Sequence, residues 1–118
     1  MTIAELKAMK TKREWEFWVF LQIKFPDEHE RKIIMRILLD FLRWDEWPKY
    51  KRVHMHNHAR LFWFRHIAHG ALRPSPEEID QMVECAIDRL VQRGLLHEEE
   101  DTTLQPTFLL QIHLGLEP

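Results

Sequence analysis

Cysteine and glycine are scarce in this sequence of 118 residues. Its one cysteine, Cys85, excludes an internal disulfide and a zinc site built from cysteines, so a reducing, cytoplasmic compartment is expected. Three glycines are too few for a glycine-rich phosphate loop. No stretch approaches the roughly 18 apolar residues that span a bilayer, and residues 1–13 lack the apolar block of a secretory signal. We therefore expect no membrane partner.

Apolar and aromatic side chains, by contrast, are plentiful. Hydrophobic residues make up 45% of the chain, and five Trp and seven Phe are among them. Because aromatic side chains bury large areas, a chain of this length can form a substantial core. The composition therefore favours one domain, residues 1–118, in which residues 1–12 form a flexible or helical N-terminal extension.

Charge is unevenly distributed along the chain, although the formal net charge is only -2. No Asp or Glu lies between Pro48 and Pro76, whereas residues 77–101 hold nine acids against Arg89 and Arg93. Local patches steer partners even when the total charge cancels. We expect the two kinds of charge to occupy different sides of the molecule, and the predicted contacts depend on that separation.

Three helices are predicted from apolar spacing and capping residues, and they span residues 28–43, 57–69 and 76–93. Asp27, Asn57 and Ser75 are suitable N-caps, and Gly70 and Gly94 are suitable ends for the second and third helices. The first helix is apolar around most of its circumference. A helix of that kind lies at the centre of a fold or is covered by another chain, and we expect the former.

Alternating apolar residues favour strands in two further stretches. The odd positions of residues 14–25 are all apolar, and residues 108–114 show the same period of two. The pentapeptides at 21–25 and 110–114 are also similar, by coincidence or because they pair in one sheet. A capping box at Thr11 and Glu14 leaves a helix open for the first stretch. Residues 95–107 read as a hairpin, which completes a helix-dominated α+β fold with a small antiparallel sheet or wing.

Residues 75–107 resemble the second half of a winged-helix domain. Arg93-Gly94-Leu95-Leu96 stands where that family has the turn after its recognition helix, and Leu104-Gln105-Pro106-Thr107 resembles the return strand of the wing. The resemblance implies a winged-helix-like fold with residues 77–93 as the recognition helix. That helix and the hairpin tip are acidic and would repel phosphate groups. Protein docking, which winged helices also perform, is therefore the use that the resemblance implies here.

The leading functional hypothesis is a non-enzymatic protein-docking module or regulatory adaptor that needs no cofactor. The predicted docking residues are Glu77, Glu78, Glu84, Cys85 and Asp88. Cys85 lies opposite the apolar stripe of its helix, and its acidic neighbours disfavour a reactive thiolate. The wide apolar face of residues 28–43 is a second candidate surface. Another protein is the expected partner, and a homodimer is compatible with the same pattern.

Nucleic-acid binding through residues 49–73 is the alternative hypothesis. Basic side chains can follow a phosphate backbone while the interleaved aromatic side chains stack on bases. The competing interpretation places those aromatic rings in the core and the cations in solvent. The predicted contact residues are Lys49, Lys51, Arg52, Arg60, Arg65 and Arg73.

Five histidines in the same segment suggest a weaker alternative, a metal site. His54 and His58, and likewise His66 and His69, have the spacing of helical ligand pairs, while His56 would join the first pair on a strand. Nearby cations oppose a metal ion, and no acid within the segment orients the rings. The cluster also predicts that an anionic partner binds this face more tightly below about pH 6.

Overall fold

The computed structural model describes residues 1–66 and 74–117, with the backbone alone at residues 62–66. In this part of the chain it contains six helices, α1 (Ile3–Lys12), α2 (Glu14–Lys24), α3 (Glu28–Trp44), α4 (Arg52–His66), α5 (Pro76–Gln92) and α6 (Phe108–His113). The three strands are β1 (Tyr50–Lys51), β2 (Leu96–Glu98) and β3 (Thr103–Pro106). The predicted helix-dominated α+β class is confirmed.

Helices α3 and α5 begin where their capping residues predicted. Asp27 accepts a hydrogen bond from the amide of Glu30 at 2.9 Å, and Ser75 accepts one from the amide of Glu78 at 3.1 Å. These bonds satisfy amides that have no partner within the helix. Six side chains of α3 are buried, and α3 packs against α2 and α5. Its predicted central place is confirmed, and the fold itself covers its apolar face.

The predicted hairpin of residues 95–107 is present as β2 and β3, paired antiparallel. Gly94 precedes it with a φ of +74°, a conformation that glycine adopts without strain. Thr107 closes the hairpin, since its hydroxyl donates to the carbonyl of Gly94 at 2.5 Å. The sequence did not predict β1, which pairs with the other edge of β3 and places Tyr50 opposite Leu104.

Helix α4 begins at Arg52 instead of Asn57. The amide of Lys51 donates to Nδ1 of His54 at 3.2 Å, so a histidine ring satisfies a donor at the helix start, as Asn57 was expected to do. His54 and His58 consequently share one helical face and His56 lies on another. The predicted end of this helix, at His69 and Gly70, lies outside the described residues.

The two stretches predicted as strands are helices, α2 and α6. In α2 and its C-cap, every second member of the alternating series is buried: Phe17, Leu21 and Phe25. Residues four apart share a helical face, so alternation over this length also supplies an inward helical stripe. The similar pentapeptides do lie together, as helix ends and not as strands, because His113 Nε2 is 2.9 Å from the carbonyl of Lys24.

The core joins all parts of the described chain. Residues 1–12 take the helical alternative, and Leu6 of α1 is fully buried. The chain ends meet, since the amino group of Met1 donates to the carbonyl of Gly115 at 2.9 Å. Among the described residues, no helix combines the length and the apolar character that a membrane crossing requires.

Candidate protein-docking surface

The solvent side of α5 and the adjoining hairpin carry a group of carboxylates around one guanidinium. Arg52, at the start of α4, donates to Asp88 at 2.8 Å and to Glu98 at 3.0 Å, and it also contacts Glu84. Its side chain is only 17% exposed. The hydrogen bond that Arg52 donates to Glu98 is the largest cause that raises the pKa of Arg52 above its ordinary value. Arg52 thereby connects three elements: α4, α5 and β2.

A second group of ion pairs joins α4 to the first half of α5. Arg60 donates through Nε to Asp80 at 3.0 Å. The ring of His56 lies between two acids, with Nδ1 3.1 Å from Asp80 and Nε2 2.6 Å from Glu84. The hydrogen bond from Arg60 holds the pKa of Asp80 below its ordinary value. The helix predicted to be basic therefore packs directly on the helix predicted to be acidic.

The expected separation of opposite charges is wrong at this contact. Of the predicted nucleic-acid contacts, Arg52 and Arg60 face carboxylates of α5, and Lys49 Nζ lies 4.0 Å from Glu99. Lys51 is exposed on β1. The side chain of Arg65 and all of Arg73 lie outside the described residues. Sequence position could not show this pairing, because α4 and α5 are joined by a connection whose path the sequence does not specify.

Negative charge nevertheless remains in excess on the α5 side. We define the acidic face as five carboxylates of α5 and β2: Glu77, Glu78, Glu84, Asp88 and Glu98. Arg52 supplies one positive charge to three of them. Glu77 and Glu78 are exposed in the first turn of α5. The predicted docking acids are thus partly neutralised but not cancelled.

A groove of about 420 Å³ opens on the exposed surface of α5 beside the start of α3. It contains the predicted docking residues Glu78 and Cys85, and Met82 adds an exposed apolar side chain between them. Cys85 is exposed, as its helical position predicted. On the α3 side the groove is lined by Asp27 and His29. The groove gives the acidic face a concave, partly apolar edge, and Arg89 of α5 places one cation in its lining.

The predicted histidine ligands are not assembled in the described structure. Within residues 1–66 and 74–117, no group of three or more His, Cys, Asp or Glu side chains is placed to hold a metal ion. His54 is exposed, whereas His58 is half-buried beside Met55 and Val83. The side chain of His66 and all of His69 lie outside the described residues.

Two half-buried histidines favour the neutral form. Burial is the main cause that lowers the pKa of His58, and Arg36 adds to the effect while Asp40 opposes it. Burial likewise lowers the pKa of His29, and Lys32 adds to it. His58 is one of the five clustered histidines, and its lowered pKa reduces the positive charge that it gains in mild acid.

These lowered pKa values predict that the fold loses stability in mild acid. An unfolded histidine takes up a proton near pH 6.5, whereas the folded chain resists protonation until lower pH. The stabilisation is complete above about pH 6.5 and is lost as pH falls through the lowered pKa of the folded state. Urea unfolding at about pH 7.5 and pH 5.5 should show this loss, and His58→Gln should make it smaller. Asn57→Gln is the neighbouring control, and equal pH slopes for the two variants would contradict the prediction.

Comparison with known proteins gives no relative for this chain: no family model matches, and neither does any curated protein or solved structure. Its function must therefore be inferred from its own residues.

Proposed function

We propose that this chain is a non-enzymatic protein-docking module that binds a basic segment of a partner protein through the acidic face. The observation that carries the proposal is the excess of carboxylates around Arg52: Glu84, Asp88 and Glu98 converge on one guanidinium. A Lys or Arg side chain of a partner would compensate the remaining negative charge. Such complementarity increases the association rate and selects against acidic partners.

The position of the acidic face supports the same proposal. Helix α5 presents Glu77 and Glu78 to solvent at its first turn and Asp88 near its last. The groove at Glu78, Met82 and Cys85 adds apolar contact beside these charges. Charged groups around a small apolar centre are typical of protein interfaces. We infer that a partner segment lies along α5, with its basic side chains toward the carboxylates.

The order of elements bears on the choice of α5 as the docking helix. Helix α3, strand β1, helices α4 and α5 and the β2–β3 hairpin follow one another as in a winged-helix domain, with α5 in the place of the recognition helix. An acidic recognition helix is unfavourable for DNA, because phosphate contacts supply most of the non-specific affinity. The nucleic-acid alternative is also weakened by Arg52 and Arg60, whose charges are engaged by acids of α5.

A charge-removing variant tests the acidic face. The double variant Glu77→Gln/Glu78→Gln is expected to weaken binding of a Lys- and Arg-rich peptide by roughly three- to tenfold. The reason is that two solvent-exposed ion pairs between these acids and the peptide are lost. Both side chains lie outside the Arg52 cluster, so its ion pairs are retained. Binding is measured by calorimetry or fluorescence anisotropy at two salt concentrations, and higher salt should reduce the affinity.

The control is Glu5→Gln/Glu46→Gln, which removes two exposed acids outside the acidic face and changes the net charge equally. If both double variants lower the affinity for the peptide equally, the attraction is non-specific and the proposed face is wrong. Binding of a DNA duplex that weakens with salt and with Arg60→Ala would instead support the nucleic-acid alternative.

A further inference from the structure

Helix α2 exposes an apolar stripe opposite its buried side. Phe17 and Leu21 are fully buried, whereas Trp15 is 79% exposed and Ile23 is 71% exposed. Val19 lies between these two at the same four-residue spacing and is also exposed. The alternating sequence of α2 therefore contains two apolar helical stripes, and only one of them packs into the fold. A helix that is apolar on both sides is typical of a covered position.

Helix α6 repeats this arrangement beside the end of α2. Leu110 and Leu114 are fully buried, while Phe108 and Ile112 are more than half exposed. The ring of His113 lies on that of Phe25, with centroids 4.9 Å apart, which places the C-terminal ends of the two helices together. Each of the two helices therefore exposes apolar side chains, and their C-terminal ends lie side by side. We define the apolar surface by seven side chains: Trp15, Trp18, Val19, Ile23, Phe108, Leu109 and Ile112.

We propose that a second copy of this chain covers the apolar surface, with the two α2 helices packed antiparallel about a two-fold axis near Val19. The proposal concerns a surface distinct from the acidic face and does not depend on the proposed function. Trp15 and Ile23 flank Val19 at equal distances along the helix, so an antiparallel copy places each Trp15 beside the Ile23 of its partner. A two-fold interface requires such a self-complementary surface.

The size of the surface fits a second copy. Trp15 is 79% exposed and Trp18 is 36% exposed, so together they expose about as much surface as one whole Trp side chain. Because a large aromatic side chain has up to about 250 Å² of surface, this area is on the order of 250 Å². With the five other side chains the apolar surface approaches the roughly 800 Å² per partner of a stable interface. Within residues 15–23, Glu16 is the one charged residue and Gln22 the one uncharged polar residue. Depletion of charge and enrichment of Trp and Phe are characteristic of interface centres.

The shape of α2 supports the same partner. Trp15, Val19, Phe20 and Ile23 line an apolar groove of about 310 Å³, with Glu16 at its edge. Glu16 is already paired with Arg13 at 3.3 Å. The groove lies next to the projecting ring of Trp15, so each copy offers both a large apolar side chain and a recess that can receive one. A second copy of the chain supplies a recess for the Trp15 ring and a Trp15 ring for the recess.

The oligomeric state of the full chain tests this proposal. Sedimentation and light scattering across micromolar concentrations should show a dimer, and Trp15→Glu should weaken its association by at least about thirtyfold, as expected for a central interface aromatic. Trp44→Glu is the matched control, because Trp44 is 67% exposed at the end of α3, outside the apolar surface. Circular dichroism checks that both variants fold. A monomeric wild-type chain, or a dimer that Trp15→Glu leaves intact, would overturn the proposal.

Cysteine cross-linking tests the antiparallel arrangement. In a Cys85→Ser background, Val19→Cys should form a disulfide-linked dimer on mild oxidation, because the two copies of residue 19 meet at the axis. Ile23→Cys should not, because its neighbour is the partner's Trp15. Equal cross-linking at both positions would refute the antiparallel packing. A monomer that sediments with anionic lipid vesicles through α2 would refute the second copy as the occupant and indicate a membrane surface.

Discussion

Phe17→Ala is expected to lower the free energy of unfolding by about 3–5 kcal/mol, the usual cost of removing a buried aromatic side chain. Phe17 is fully buried and belongs to the same core as residues of α3, α5 and α6. It is one of two buried side chains in α2. Its loss leaves a cavity that the neighbouring helices cannot fill completely, and it weakens the attachment of the helix that carries the apolar surface.

Urea unfolding followed by circular dichroism measures this effect. The control is Leu61→Ala, which removes a large side chain from an exposed position on α4 and should change the free energy of unfolding by no more than about 0.5 kcal/mol. A loss below about 1 kcal/mol for Phe17→Ala would mean that α2 does not belong to the cooperative core, since local units can unfold separately from the rest.

Capping chemistry explains why some helices could be predicted and others could not. Asp27 and Ser75 form the hydrogen bonds that their positions suggested, and Gly94 has the left-handed conformation expected after α5. These features depend on neighbouring residues alone. Helix α2 follows Arg13, and Thr11 donates to the carbonyl of Lys7 instead of capping α2. Without a capping side chain, the alternation was the strongest local pattern, and it indicated the wrong period.

The sequence shows that α2 is rich in large apolar side chains, but it does not specify which of them are buried. Phe17 and Leu21 are buried, and Trp15 and Ile23 are exposed, yet all four are large and apolar. Hydrophobicity alone cannot distinguish a stripe that faces its own core from one that faces another molecule. The distinction depends on tertiary packing, so the apolar surface could be recognised only once the position of α2 was known.

The ion pairs of the candidate site show a similar limit. The sequence correctly indicated which segments carry each charge, but not that α4 would pack on α5 and bring Arg52 to Glu84. Pairing between residues distant along the chain follows from the fold. The excess of acids over cations, by contrast, could be read from composition, and it persists in the acidic face.

Glu30 links the start of α3 to the end of α5 in a way that its sequence position did not suggest. It stands three residues after the N-cap Asp27, a position from which a Glu side chain commonly reaches back to the amide of the N-cap residue. Instead, Glu30 accepts a hydrogen bond from Arg93 at 2.5 Å and one from Arg89 at 3.3 Å. Its side chain is 7% exposed. Arg89 also lies 3.2 Å from Asp27, so the N-cap of α3 and Glu30 in its first turn together hold the last turns of α5.

Glu30→Ala is therefore expected to lower the free energy of unfolding by about 2–3 kcal/mol, because a buried carboxylate and its hydrogen bonds are lost. The loss stays below that of a fully buried pair, because Arg89 and Arg93 are nearly half exposed and can turn to water. A double-mutant cycle with Arg93→Ala, followed by urea unfolding, separates the coupling of this pair from the effect of each single change.

The comparison variant is Glu14→Ala, which breaks an exposed pair with Lys10 at 3.7 Å and should cost no more than about 0.5 kcal/mol. Glu30→Gln retains the size and hydrogen-bonding capacity of the side chain but loses its charge, and its cost should lie between those of the two alanine variants. If Glu30→Ala costs no more than Glu14→Ala, the ion pairs do not hold α5 on α3. The position of the acidic face would then depend on apolar packing alone, through Ile33, Ile37 and their neighbours in the core.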